Sequence, residues 1–358
     1  MKYRVLDVLV SEEGNPFRLE AEVTEESRDL PLDIDAVCCS FYCAFKDQPP
    51  SDTRVEDCRK CYSQDVVSGR LVSDSEATYE IREGVPRLIP EDVLDKGSQA
   101  SFSMEWKYSD DGLRNWGGEP MELREDKFFE GIGHTPEAVA GMLMLNAGCG
   151  SGLLDRHLSR SFGLEILAFD QSYSPFQIEQ RKKEPLVYPV QASVLQPPLR
   201  PQSFDVVYSA GVLLTTANTK QAFDKLVPLV REGGLLYVWL YHPIDRDHYP
   251  TALFKNKAYH WIGRNITSRL PHRVQEFLYN ALSVPFLAKQ RVESVLGRKT
   301  DLITRREKMQ GLVDQFSPRY AWRHSEAEAR GWFEEAGFSD IEEADHGPYG
   351  FGMRGLRI

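Results

Sequence analysis

Three glycines in five residues, Gly148, Gly150 and Gly152, follow the apolar run Leu143-Met144-Leu145 and precede Leu153-Leu154. Residues without a Cβ let a backbone pass close to a bound molecule and adopt torsion angles closed to other side chains. About 20 residues on, Asp170 ends a second apolar run, Ile166 to Phe169. A carboxylate there can accept hydrogen bonds from both hydroxyls of a ribose, so turn and acid together suit a nucleotide-type cofactor laid across the end of a sheet. Taken alone, Asp170 would read as a helix cap or turn residue; the pairing changes the reading. The dinucleotide fingerprint G-x-G-x-x-G requires glycine where Leu153 stands, which disfavours a pyrophosphate-bearing cofactor.

Other side chains could do chemistry near the same place. Tyr241 and His242 follow an apolar run and precede Pro243, at a strand end where the active-site loops of parallel sheets gather. They are the catalytic candidates, ahead of Glu105, Tyr108 and His134, although His242 reads equally as a satisfied loop histidine. Five of the six cysteines fall before residue 62. Cys39, Cys43, Cys58 and Cys61 form two short-spaced pairs that could supply four thiolates to a structural zinc, with Cys38 able to replace Cys39; the alternative is a set of reduced, partly buried thiols.

The elements that would position these groups follow from the pattern. From about residue 136, strand and helix signals alternate, the signature of a parallel sheet covered on both faces. Strands are expected at 142–146, 165–169, 187–191, 204–208 and 235–241, with two more at about 341–344 and 351–358. Helical spacing covers 153–161, 219–230 and 326–336, and Gly233-Gly234 reads as the C-cap of the second of these. Residues 246–320 interrupt the rhythm with mostly helical sequence, read as a lid that shapes a second pocket. Aromatic side chains there alternate with Arg264, Arg269, Arg273, Arg291, Arg305 and Arg306, which could sit near an anionic group. Before all this, residues 1–90 alternate short β-like runs (3–10, 17–23, 78–82) with acidic turns.

Residues 140–240 resemble class I S-adenosylmethionine-dependent methyltransferases of the group that includes ubiquinone and menaquinone biosynthesis enzymes. The matching motifs are Leu145-Asn146-Ala147-Gly148-Cys149-Gly150-Ser151-Gly152, Phe169-Asp170, the strand Ser203 to Ser209, and Leu229 to Leu236. The resemblance implies a Rossmann-like, doubly wound α/β fold with a seven-stranded sheet, a small β-rich N-terminal module and a helical lid inserted after strand 5. It implies S-adenosyl-L-methionine as cofactor, contacted by Asn146, Ala147, Gly148, Cys149, Gly150, Gly152, Asp170, Gln171, Ser193, Val194 and Ser209. Trp106, in the segment Phe102 to Trp106, resembles part of a helix that covers the cofactor in similar enzymes, though core packing would also explain it. Two departures stand out. Ser193 replaces the usual acidic partner of the adenine, and Gly211-Val212-Leu213-Leu214-Thr215-Thr216-Ala217-Asn218 lacks the two histidines of the related loop. Val5 to Val10 and Gly69 to Pro86 resemble the zinc-ribbon family that activates tRNA and protein methyltransferases, but Ser11, Gly14, Ser73 and Glu76 stand at that family's cysteine positions. The expected organisation is an N-terminal module (1–95), an aromatic connector (96–135), a cofactor-binding domain (136–245 and 321–358) and the lid (246–320).

Composition narrows the partners. A net charge of −11 argues against nucleic acid. The charge is uneven: the first hundred residues carry 12 basic and 22 acidic side chains, and 251–323 carry 14 basic and 5 acidic. The latter reads as a solvated helix face or as an anion-binding lid. No apolar run is long enough to span a bilayer, so a cytoplasmic protein is expected. The resemblance favours methylation of a small-molecule or natural-product acceptor at oxygen, nitrogen or carbon. The competing readings are a catalytically silent cofactor-binding scaffold or regulatory partner, and a tRNA or protein methyltransferase. Oligomeric state is not legible.

Overall fold

The computed structural model describes residues 1–27, 36–90, 94–109, 120–181, 184–297, 302–344, 347 and 349–358. Trp116, in the aromatic connector, lies outside them.

The chain opens with a short 3-10 helix, Tyr3–Asp7, where alternation predicts a strand. Local polar bonding overrides the alternation. Arg4 Nη1 donates to Asp7 Oδ2 at 2.8 Å, and the Asp7 carboxylate also accepts the backbone N–H groups of Ser40, Phe41 and Tyr42 at 2.7–2.8 Å. β1 (Arg18–Glu26), α1 (Val55–Tyr62), β2 (Gln64–Val72), β3 (Thr78–Arg82) and β4 (Val85–Pro86) follow, the strands forming an antiparallel sheet in that order. Beyond β4 the chain runs onto the larger sheet: Arg87 bridges Gln191 in parallel, and Leu88 N donates to the Gln191 carbonyl at 2.8 Å.

Two helices precede that sheet, α2 (Lys96–Lys107), capped by Asp95, and α3 (Met121–Ile132). Then come β5 (Leu143–Ala147), α4 (Leu153–Phe162), β6 (Glu165–Asp170), α5 (Ser174–Arg181), β7 (Val187–Gln191), β8 (Phe204–Ala210), α6 (Thr219–Leu226) and β9 (Val230–Tyr241). Helices α7 (Leu253–Asn265), α8 (His272–Val295) and α9 (Arg305–Phe316) intervene before α10 (Glu326–Glu335), β10 (Phe338–Ala344) and β11 (Gly350–Arg357). The seven strands lie in the order β10-β11-β9-β8-β5-β6-β7, all parallel except β11. This is the Rossmann-like α/β sheet expected from the alternating pattern.

One boundary differs instructively. Gly233-Gly234 does not cap a helix: α6 stops at Leu226, and the glycines lie inside β9. Between the pairs Phe204↔Val230 and Val206↔Leu235 the strand loops out, with Gly233 at φ +71°. A bulge needs a glycine for the same reason a C-cap does, so the residue type alone does not separate the two.

Strand alternation divides the core between the two sheet faces. Leu145, Phe169, Val207 and Leu236 pack beneath Phe223 of α6 and Phe333 of α10, while Met144, Ile166, Val206 and Tyr237 pack against Phe128 of α3 and Leu158 of α4. β5 is buried over its whole length, as expected of a central strand covered on both faces. Its carboxyl end lies at the switch point, where the next strand in the chain, β6, goes to one side and β8 takes the other. Crevices at such points take ligands.

Candidate active site

At this switch point a cavity of about 310 Å³ opens over the carboxyl ends of β5, β6, β8 and β9, closed from outside by α2, α3 and α9. Its floor is the turn after β5. Gly148 has φ +97°, and a Cβ on it would stand 2.2 Å from Val212 Cγ2. Gly150 has φ +54°, and its Cβ would meet the Trp106 ring at 2.4 Å. Any side chain at either place would be strained and would also fill the cradle.

Asp170 closes β6 and faces the same space. Its Oδ2 accepts from Gly150 N at 3.1 Å and its Oδ1 from Ser172 N at 2.8 Å. Burial pushes its carboxyl above the ordinary range, opposed by those N–H donors. A carboxylate offers about four lone-pair sites, so two remain for a ligand's donors. On the other side of the floor, the indole Nε1 of Trp106 is buried and, among the described residues, meets no acceptor. It is a donor suited to an anionic group placed at the glycine turn.

Two further carboxyls line the cavity. Glu105 is buried, and burial first, then the charges of Asp314 and Asp170, hold its carboxyl well above the usual range. Asp314, on α9, is pushed up to about 6 by burial, against the pull of Arg264 and Arg323. Asp170 and Asp314, when ionised, favour a cationic guest between them.

Most of the residues singled out from sequence meet here. Asn146, Gly148, Cys149, Gly150, Asp170, Gln171, Ser193, Val194, Trp106 and Tyr241 all line the cavity. Ala147, Gly152 and Ser209 do not: Ser209 Oγ instead donates to the Ala147 carbonyl at 2.9 Å, joining β8 to β5, and Gly152 starts α4 in the left-handed conformation. They shape the turn from beneath.

The two catalytic candidates separate. Tyr241 reaches the cavity, with the Arg323 guanidinium 4.6 Å from its ring centroid. Burial and then the Asp314 charge raise its hydroxyl well above the ordinary value, so it is a hydrogen-bond donor at neutral pH and not a base. His242, the next residue, lies outside the cavity and packs on His248 and Phe351. Successive side chains of a strand point to opposite faces, so both could not serve one site. Of the lesser candidates Glu105 lines the cavity, whereas His134 and Tyr108 do not. His134 Nδ1 meets the Ile132 carbonyl at 2.9 Å, and Tyr108 donates to Glu276. None of the lid arginines named above lines the cavity either; its cations are Arg124 and Lys127 of α3. Arg264 is spent on the carbonyls of Tyr320 and Gln315.

The four cysteines proposed as a zinc set do not line the cavity. Cys39, Cys43, Cys58 and Cys61 lie near one another and near the Arg4 guanidinium, with burial pushing Cys61 up to about 12. Among the described residues the donors close enough to hold an ion are His242, His248 and Glu326, not the sulfurs.

Sequence reasoning missed Asp314, Tyr320, Thr215, Thr216, Arg124 and Lys127, all at the cavity wall. The threonines sit in the loop that lacks histidines, which was the available signal. The others stand on helices whose approach depends on tertiary packing.

Residues 145–238 match a family model described as a methyltransferase domain. A malonyl-[acyl-carrier protein] O-methyltransferase of Enterobacter lignolyticus (strain SCF1) is 30% identical over 148 residues, 40% of this chain and 58% of that protein. The chain thus spans little more than half of that relative's length. Among solved structures, human N-acetylserotonin methyltransferase with its SAM ligand is 15% identical, covering 66% of this chain and 53% of that one at a TM-score of 0.39. A Haemonchus contortus phosphoethanolamine N-methyltransferase 2 is 15% identical over 73% and 57%, at 0.38. Structural likeness of this degree carries no weight for function.

Proposed function

We propose, from the premise that this chain carries a class I S-adenosylmethionine-dependent methyltransferase domain, that it moves the methyl group of that cofactor to a small-molecule acceptor held in the cavity under α2, α3 and α9. The observation that carries the reading is the Asp170 carboxylate, fixed by Gly150 N and Ser172 N and open to the cavity beside a glycine turn that no Cβ could enter.

In this reading Asp170 accepts from the ribose hydroxyls, and Trp106 Nε1 donates to the carboxylate end of the methionyl group. Gln171, Ser193 and Val194 border the adenine, where the Ser193 hydroxyl is a weaker partner than an acidic side chain. The sulfonium supplies an already activated methyl group, so the protein has mainly to align a nucleophile and exclude water. Tyr241, Tyr320, Thr215 and Thr216 form the acceptor side. Asp314 takes the proton of an acceptor hydroxyl or protonated amine, while Glu105, kept neutral by burial, donates a hydrogen bond. A space of this volume falls in the range of small-molecule sites.

The test is incubation of the purified protein with methyl-labelled S-adenosylmethionine and a panel of small hydroxyl- and amine-bearing acceptors. Label should move to an acceptor with release of S-adenosylhomocysteine. No calorimetric binding of either cofactor form would overturn the reading.

A further inference from the structure

Just beyond the end of β9, two imidazoles from the seven residues that follow it and a carboxylate from α10 converge. His242 Nδ1 lies 3.1 Å from Glu326 Oε1, and His248 Nε2 lies 3.9 Å from the same oxygen. All three donor atoms fall within 4.8 Å of one another. The imidazole rings stack, centroids 4.1 Å apart and planes inclined by 23°.

We propose that His242, His248 and Glu326 form a binding site for a divalent transition metal ion, zinc by its donor chemistry. Ligands about 2.0–2.2 Å from a tetrahedral zinc lie roughly 3.3–3.5 Å apart, so a small inward movement of His248 completes the set. Two nitrogens and one oxygen suit zinc and its neighbours and discriminate against magnesium and calcium, which prefer all-oxygen shells.

The surroundings are those of a prepared site. His248 Nδ1 contacts Asp245 Oδ1 at 2.7 Å, the outer carboxylate that fixes the tautomer of a ligating histidine and leaves Nε2 free to coordinate. Asp245 is itself held by the N–H groups of Asp247 and His248. His242 is buried and pinned through its backbone: its N–H donates to the Tyr349 carbonyl at 3.1 Å, and its carbonyl accepts from Arg323 at 3.2 Å. Glu326 is the first residue of α10, its helix anchored by the Ser325 cap.

The position in the chain gives the ion its role. His242 and His248 belong to the passage leaving β9 for α7, and Glu326 to the passage returning from α9 into α10. An ion shared among them ties the two ends of the inserted helices together, next to Tyr241 but outside the reaction space. It is a structural staple for the lid, and it stands whether or not the transfer reaction proposed above is correct.

The experiment is zinc titration of chelator-treated protein by calorimetry, with bound metal measured by atomic emission. The parent should take one equivalent with a dissociation constant in the micromolar range or tighter. Both His248→Ala and Glu326→Gln, checked for fold by circular dichroism, should weaken it at least about a hundredfold. A Cys43→Ser variant should bind as the parent does, which separates this site from the thiols. Limited trypsin digestion supplies a readout independent of activity: zinc should slow cleavage within 249–323 in the parent and not in E326Q. Failure to bind, equal binding by H248A and E326Q, or loss of binding in C43S alone would each overturn the proposal.

Discussion

Replacing Asp170 by asparagine separates the ribose role from a purely structural one, because the two predict opposite signs. The carboxylate already spends one oxygen on Gly150 N and the other on Ser172 N. Asparagine keeps the shape but turns one oxygen into a donor facing an N–H, and it removes the charge. Hydrogen bonds to a charged acceptor are worth about 1.5–3 kcal/mol and neutral ones about 1 kcal/mol. Losing the charge from two ribose bonds should therefore cost roughly 3 kcal/mol of cofactor binding, a weakening on the order of 150-fold. Without ligand the sign reverses. Burial raises the Asp170 carboxyl, so the folded state holds its proton more tightly than the unfolded chain does, and stability falls as pH rises through that value. An uncharged side chain escapes this penalty, so the variant's melting temperature relative to the parent's should rise between pH 5 and pH 8, whatever the lost N–H bond costs. Calorimetry with S-adenosylhomocysteine, paired with thermal melting, gives both readouts. A dissociation constant within about threefold of the parent's would refute the ribose assignment.

Asp314→Asn should lower the transfer rate by about 10²–10⁴ if this carboxylate takes the acceptor's proton. In the parent the rate should climb about tenfold per pH unit up to about 6, where Asp314 ionises, and then level off, while the variant's profile should be flat. A shared pH profile would remove Asp314 from the chemistry. Asp155, buried under Asn146, is pushed up to about 7, so its contribution to stability is lost as pH rises toward that value. Asp155→Asn should gain melting temperature relative to the parent between pH 5 and pH 8, and a gap that does not widen would contradict the assignment. Glu165→Gln should cost about 3–5 kcal/mol in denaturant unfolding, because it removes the carboxylate that meets buried Arg4 at 2.9 Å and Tyr188 at 2.6 Å. A loss under about 1 kcal/mol would show that the cluster is solvated.

What could be read in the sequence was what local periodicity and glycine chemistry determine. The parallel strands were placed to within a residue or two except at β9, where a looped-out bulge imitates a helix cap, and at β10, which begins three residues before the expected start. The cofactor floor was legible because Gly148, Gly150 and Asp170 act through backbone geometry and a single carboxylate, both local to strand ends. The roof was not. Asp314 and Arg124 reach the cavity only because α9 and α3 pack over it, and nothing in their own neighbourhoods marks them. Tyr241 and His242 show the same limit at closer range: adjacent in sequence, they part because a strand sends them to opposite faces.

The run of Arg87 and Leu88 along Gln191 has a consequence for how the molecule behaves in solution. β7 is the outermost strand of the seven, and an uncovered outermost strand offers its amide and carbonyl row to any passing chain. The N-terminal segment occupies part of that row. It thereby protects against self-association, and a shortened protein beginning after residue 90 would be expected to precipitate or pair edge to edge.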